Sequence, residues 1–349
     1  MNGKLRTAIV GSTGYGGVEL IRLLLQHPKA EITSVISSSN AGALYAEGYP
    51  HLSEIVTDRL EAIDVAAMKS KADVVFLATP HGVSTELSPK LIDAGLKVID
   101  VSGDLRLKQG DVYETWYKHR PADPAYLDRA VYGLCEVFGE DVRGADLIAN
   151  PGCFPTATAL GLVPLLAEGW IDPSTIISDA KTGVSGAGRG LGLAYHYSEI
   201  NESTLAYKVN RHQHTPEIEQ TLSRVAGQEV TMTFTTHLLP MTRGILVTSY
   251  AKLTQARTDE EVVNLFRSYY EGRKFVRIRP VGKYPATKEV SGSNYCDIGV
   301  SVDARTGRVT VISVIDNLMK GAAGQAVQNL NLMMGWDEST GLDFTPVYP

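Results

Sequence analysis

The sequence predicts an α/β protein: a doubly wound parallel sheet, followed by an α+β region with a larger mixed, mostly antiparallel sheet. Three observations predict this. Up to about Asn150, short apolar runs alternate with segments of helical periodicity, the pattern of βαβ units. A glycine-rich turn joins the first run to the first helix. Beyond Asn150 the apolar runs follow one another with turns between them. The chain has 349 residues, enough for two domains with sizeable cores.

In order, RTAIV (Arg6 to Val10) is a short buried-type strand, GSTGYGG a turn, and VELIRLLLQHP a helix with apolar residues at helical spacing. EITSVIS is β-rich. ADVVFLATP is a further buried strand, STELSPKLIDAG a helix and KVIDVSG another strand. Later, TMTFTTHLLP, GILVTSYAKLT and NYCDIGVSVDARTGRVTVISVID are strands with turns, interrupted by the helix TDEEVVNLFRSYYEG. KGAAGQAVQNLNLMMG closes the chain as a helix. There are no internal repeats, low-complexity segments or charge runs.

Composition narrows the function. The chain is 44% hydrophobic and 21% charged, with a net charge of −6. That balance supplies no electrostatic reason for a nucleic-acid or anionic-membrane partner. An anionic small substrate stays compatible, because local charge can differ from the total. No apolar run reaches membrane-span length. The N-terminus enters a strand at once and leaves no room for a signal peptide. Cys135, Cys153 and Cys296 show neither metal spacing nor a disulfide framework, so no metal is expected and a reducing cytoplasm is the expected compartment.

Gly11, Gly14 and Gly17 form GxxGxxG, with Gly16 as an extra glycine. The motif follows a strand and opens a helix. A dinucleotide needs that context: a tight turn, close backbone approach to a pyrophosphate, and helix N–H groups facing negative charge. The competing reading is a plain glycine-rich turn. At the end of the second strand, Ser37, Ser38 and Ser39 stand where an NAD site usually places a carboxylate. Hydroxyls without that negative charge suit a 2′-phosphate, which favours NADP(H); the competing reading is a polar loop.

Cys153, in NPGCFPTATALGLVP, sits at a helix entrance. Unpaired N–H groups and the positive end of the helix dipole favour its thiolate, and can stabilise an oxyanion. A buried structural cysteine is the commoner fate. Cys135 and Cys296 lack a helix-start setting and keep that fate. A nucleophilic thiol beside NADP suggests thioester formation followed by hydride transfer, which needs a proton carrier. RHQHTPEIEQ supplies His212 and His214, on one side of an extended segment, before a helix with Thr215 as N-cap and Pro216 at its first position. A histidine near its ordinary pKa of about 6.5 serves both proton transfers. A metal pair or polar surface are the alternatives. His27, His51 and His119 are read as surface.

The motifs GSTGYGG (11–17), ATPHGVS (78–84), DVSGDLRL (100–107), ANPGCFPTATALGLVP (149–164), SGAGRG (185–190), HQHTPEI (212–218) and NLMKGAAGQAVQN (317–329) resemble, in order, those of the N-acetyl-γ-glutamyl-phosphate reductase family. These are NADP-dependent enzymes of arginine biosynthesis, related to aspartate-semialdehyde dehydrogenase. The resemblance covers the whole chain, and its cysteine motif is highly specific. It implies a Rossmann-type domain of residues 1–150 plus 318–349, and a catalytic and oligomerisation domain of residues 151–317.

The resemblance also implies roles. Cys153 would accept the acyl group and His212 would be the acid/base, with His214 next. Ser12, Thr13 and Tyr15 in the glycine turn, Pro80, His81 and Gly82, Ser185 and Gly186, and Asn317, Lys320 and Gly321 would bind the cofactor. Arg106, Asn150, Arg189, Glu217 and Arg243 would bind a small acyl-phosphate substrate, in a homodimer or homotetramer. Reduction of N-acetyl-aminoadipyl or aspartyl phosphate is the neighbouring alternative. A dinucleotide-binding redox sensor is the non-enzymatic one, against which HQHTPEI counts, because a sensor needs no acid/base.

Overall fold

A computed structural model describes residues 3–348. The chain divides into two compact units, Met1–Pro151 with Ala322–Asp343, and Gly152–Gly321 with Phe344–Pro349.

The first unit holds β1 (Leu5–Val10), β2 (Ala30–Ile36), β3 (Val74–Leu77), β4 (Lys97–Asp100), β5 (Val131–Tyr132) and β6 (Leu147–Ala149). They form one sheet in the order β2-β1-β3-β4-β6-β5, with every pair parallel. Val74 to Leu77 are all buried, as strands covered on both faces must be. Ala8, Val10, Val75, Leu77 and Val98 share one cluster with Leu87, Leu91 and Ile92 of the helix Val83–Asp93. Because β2 and β3 flank β1 on opposite sides, the strand order reverses beside β1. Its carboxyl end is the place where such sheets bind ligands. The turn after β1 and the loop after β3 both lie there.

The helix Gly324–Met333 belongs to this unit, and all ten of its residues are buried. The Gln325 and Asn329 side-chain amides donate to Gly133 O at 2.8 and 2.9 Å.

The second unit holds β7 (Ile177–Gly183), β8 (Leu205–Tyr207), β9 (Thr233–Leu239), β10 (Ile245–Lys252), β11 (Val276–Ile278), β12 (Cys296–Asp303) and β13 (Arg308–Ile315). The sheet order is β11-β12-β13-β10-β7-β9-β8. The β7/β9 and β11/β12 pairs are parallel and the other four antiparallel. Burial alternates along β7, β9 and β10, so one face is covered. The helix Cys153–Ala167 lies over β10 and β13, with Phe154 to Leu166 wholly buried. Gly161 lets it approach closely: a Cβ there would stand 3.3 Å from side-chain atoms of both Val311 and Ser313.

Candidate active site

The first unit carries the nucleotide cradle. Gly11 has φ +80°, and a Cβ on it would overlap the Ala78 carbonyl; one on Gly17 would strike the backbone of Gly11 and Ser12. These glycines are required by backbone closeness. Gly16 instead faces open space. The helix Tyr15–Leu24 starts at Gly14 with no side-chain cap and no acid in its first turn. Its leading N–H groups suit a pyrophosphate. The Tyr45 and Tyr49 hydroxyls donate to Ser12 O and Thr13 O at 2.8 and 3.1 Å, so two stacked tyrosines brace the turn. Nothing local in LYAEGYP signals that role. Ser37 is buried with its Oγ 3.4 Å from Thr13 Oγ1, while Ser38 and Ser39 are exposed.

Asp104 organises the neighbouring loop. Its buried carboxylate accepts from Gly82 N–H (2.8 Å), Ser84 N–H (3.0 Å) and the Tyr113 hydroxyl (2.7 Å), with His81 Nδ1 at 3.7 Å. Burial raises its pKa, but the His81 ring, Gly82 and Tyr113 outweigh that and hold it below the ordinary value. Gly82 at φ +89° and the exposed Pro80 and His81 present the loop edge to solvent. Next to Asp104, burial and the like charge push Asp100 up to about 6.

Two residues of the expected substrate site are buried in this unit. Arg106 is 5% exposed; its guanidinium donates to Asn150 O (2.7 Å) and Val101 O (2.9 Å) and clamps the chain after β4 and β6. Asn150 is fully buried, donating to Ala322 O (3.2 Å) and accepting from Asn329 (2.9 Å). Both side chains have backbone or side-chain partners within the first unit.

The second unit carries the thiol. Cys153 is the first residue of its helix, and Gly152 is an N-cap without a side chain. It is half-buried, whereas Cys135 and Cys296 are buried. Cys135 does begin a helix, contrary to expectation, but its thiol donates to Asn329 Oδ1 at 3.1 Å inside the first unit. Gly321 approaches Cys153 so closely that a Cβ on it would lie 2.7 Å from Cys153 Cβ. Its glycine is therefore explained by the thiol's own residue.

His212 is 4% exposed and stands among rings: Phe154 at 5.3 Å, Tyr207 at 5.6 Å and Phe234 at 5.9 Å between centroids. Burial, then the Lys208 charge, push its pKa down to about 3, so the ring is neutral at neutral pH and departs from the ordinary value expected. The His214 N–H donates to His212 Nδ1 at 3.1 Å. The neutral ring therefore keeps its proton on Nε2 and offers a donor there. The His212 and His214 rings are 4.9 Å apart, brought together by a turn closed by Thr215 N–H to His212 O (2.9 Å). The segment is a turn, not an extended strand. His214, not Thr215, is the N-cap of the helix Thr215–Ala226. Glu217, fully buried on that helix, accepts from Gly152 N–H at 2.8 Å.

A second group lies at the end of β13. Asn317 donates to Ser185 Oγ (2.9 Å) and accepts from Gly244 N–H (2.8 Å). A Cβ on Gly186 would meet Asn317 at 3.9 Å. Arg243 reaches the buried Asp316 at 3.3 Å and remains partly exposed. The motif residues Ser185, Gly186, Asn317 and Arg243 are thus neighbours. Arg189 is exposed, following Gly188 at φ +81°. Lys320 is fully buried with its Nζ 5.7 Å from the Phe275 ring centre. His27, read as surface, is buried against Asn331 at 3.0 Å. Among the described residues no three His, Cys, Asp or Glu side chains gather as a metal site, and no helix is long and apolar enough to cross a membrane.

Comparison with known proteins agrees along the whole length. The family model "semialdehyde dehydrogenase, NAD binding domain" matches residues 6–145, and "semialdehyde dehydrogenase, dimerisation domain" matches residues 153–317. The chain is 57% identical to the N-acetyl-gamma-glutamyl-phosphate reductase of Brevibacillus brevis, over 99% of this chain and 100% of the relative. It is 55% identical to the protein of that name from Bacillus subtilis, with the same coverage. Among solved structures, aspartate semialdehyde dehydrogenase II of Vibrio cholerae, complexed with ASA, superimposes with a TM-score of 0.73. That match has 16% identity and covers 95% of this chain and 98% of the other. The Candida albicans aspartate semialdehyde dehydrogenase with NADP gives 0.68 at 17% identity, covering 94% and 98%. These last two share the fold.

Proposed function

The chain belongs to the N-acetyl-γ-glutamyl-phosphate reductases of the semialdehyde dehydrogenase family, and on that premise we propose how its residues perform the reaction. It is an oxidoreductase that uses a nicotinamide dinucleotide. The reaction is reduction of N-acetyl-γ-glutamyl phosphate to N-acetylglutamate 5-semialdehyde with release of phosphate, a step of arginine biosynthesis. The cofactor is NADP(H), since no carboxylate stands at Ser37 to Ser39. The protein works in the cytoplasm as a homodimer or homotetramer.

One observation carries the mechanism: Cys153 stands first on an apolar helix whose cap has no side chain and whose first turn has no acid. That position favours the thiolate. The thiolate attacks the acyl carbon; the C–S bond forms, and the C–O bond to phosphate breaks with its electron pair on the phosphate oxygen. Nε2–H of the neutral His212 polarises the carbonyl oxygen in this step and when the thioester is reduced. Glu217 holds Gly152, and with it the start of the Cys153 helix. The glycine turn Gly11 to Gly17 holds the pyrophosphate, the loop of Pro80, His81 and Gly82 flanks the nicotinamide, and Arg189 and Arg243 take anionic groups of the substrate. When bound, the dinucleotide supplies the hydride.

The test is steady-state reduction of NADP and NAD with N-acetylglutamate semialdehyde and phosphate, set against the aspartyl and aminoadipyl analogues. The N-acetylglutamyl compound with NADP should have the highest kcat/KM. Equal values for NADP and NAD would refute the cofactor assignment. A preferred analogue would refute the substrate.

A further inference from the structure

Lys208 has no part in the chemistry above. It follows β8 in left-handed backbone at φ 47°, and Asn210 does the same at φ 56°. Such backbone is uncommon for a lysine. Here it turns the chain back on itself, so that Lys208 Nζ donates to Gln213 Oε1 at 2.7 Å. Gln213 lies between His212 and His214, and Tyr207, next to Lys208, has its ring against His212. The ammonium's partner is thus a neutral amide, and among the described residues no carboxylate pairs with it. Burial lowers its pKa with no acid acting the other way, and its charge is felt by His212. The side chain is exposed, so a ligand can reach it, and a bound anion would supply the counter-charge that the Gln213 amide does not.

We propose that Lys208 binds the phosphoryl group of the substrate beside His212 and stabilises the phosphate as it leaves. This rests on the acyl-phosphate reading above. Of the substrate's two anionic ends, only the phosphoryl group is bonded to the reacting carbon, so it alone must lie beside the reacting groups. A compact ammonium also suits phosphate as a point charge, whereas planar guanidinium suits a carboxylate. As the C–O bond breaks, the departing oxygen gains charge next to Lys208, and the ammonium opposes its return.

The experiment uses the oxidative direction, with N-acetylglutamate semialdehyde, NADP and inorganic phosphate. Lys208→Asn removes the charge and keeps a residue that tolerates left-handed backbone; Lys208→Gly does the same should the first variant not fold. The KM for phosphate should rise roughly ten- to a hundredfold in either, the loss of one charge-assisted hydrogen bond. The KM for the semialdehyde and the Kd for NADP should stay within about twofold. Lys208→Arg should restore most of the phosphate affinity. Inorganic phosphate should slow alkylation of Cys153 by iodoacetamide in the wild type and not in Lys208→Asn. An unchanged phosphate KM would overturn the proposal. So would a rise confined to the semialdehyde KM, which would place the substrate carboxylate at Lys208. Wild-type protein with no phosphate-dependent turnover would instead sink the acyl-phosphate reading, and this inference with it.

Discussion

The Glu217 carboxylate accepts the Gly152 N–H at 2.8 Å, one residue before Cys153. Glu217 stands on the helix that begins just after His214, so a buried hydrogen bond ties the thiol's helix to the histidines' helix. The two groups of the proposed chemistry come from distant parts of the sequence. Their relative position depends on this link and on the Phe154 ring packed against His212.

Glu217→Ala should leave Gly152 N–H buried without an acceptor, a cost of about 1–3 kcal/mol. The start of the Cys153 helix should shift. We expect kcat to fall by roughly one to two orders of magnitude, the effect of misplacing a reacting group. Glu217→Gln keeps a carbonyl acceptor and should lose far less. Parallel kcat and Cys153 alkylation rates in the two variants check this. Equal losses would show that the carboxylate charge, not the hydrogen bond, is what counts.

Gly321→Ala places a methyl 2.7 Å from Cys153 Cβ and 3.1 Å from its Cα. Neither is the free end of a flexible side chain, so the backbone must move, at about 1–3 kcal/mol. A lower Tm together with a sharp drop in kcat is expected. Activity and Tm like the wild type would mean that Cys153 does not need its present position.

His212→Asn should lower kcat by roughly two to three orders of magnitude, the effect of misplacing a donor to the developing oxyanion. Since burial and Lys208 push the His212 pKa down to about 3, the ring stays neutral through the working range. An acidic limb in the wild-type kcat profile above pH about 5 therefore belongs to another group, and the residual activity of His212→Asn should keep that limb. Its disappearance in the variant would restore His212 as a base titrating near its ordinary value.

Asp100 yields a stability test. Its carboxyl is pushed up to about 6, chiefly by burial, from an ordinary value of about 3.9. A raised folded pKa means that the native state holds the proton more tightly. The associated stability is complete below pH about 4, is lost as pH rises to about 6, and costs the same at any higher pH. Asp100→Asn cannot ionise. Its stability relative to wild type should therefore grow between pH 4 and pH 7.5. Denaturant unfolding at both pH values measures this; a difference independent of pH would contradict it.

The parallel sheet was legible because its strands are buried on both faces and so read as apolar runs such as VVFL of β3. The glycine turn and the Cys153 helix were legible because each depends on local chemistry. The parallel pairs β7/β9 and β11/β12 were not, because pairing between distant strands leaves no local mark. Arg106 and Asn150 show a second limit. The letters do not say that both side chains are buried or which carbonyls they meet, because those partners come from separate segments of the chain. Asp104 and Lys208 went unnoticed for a related reason. Their partners, Gly82 with Ser84 and Gln213, meet them through turns whose geometry the sequence does not spell out.

The central claim is that Cys153 carries the acyl group. The direct measurement mixes the protein with N-acetyl-γ-glutamyl phosphate in the absence of dinucleotide, quenches with acid, and determines the intact and peptide masses. The account predicts an N-acetylglutamyl adduct on the peptide containing Cys153, with phosphate released in equal amount, and neither in Cys153→Ser. Phosphate release that leaves Cys153 unmodified, or an adduct that persists in Cys153→Ser, would contradict it.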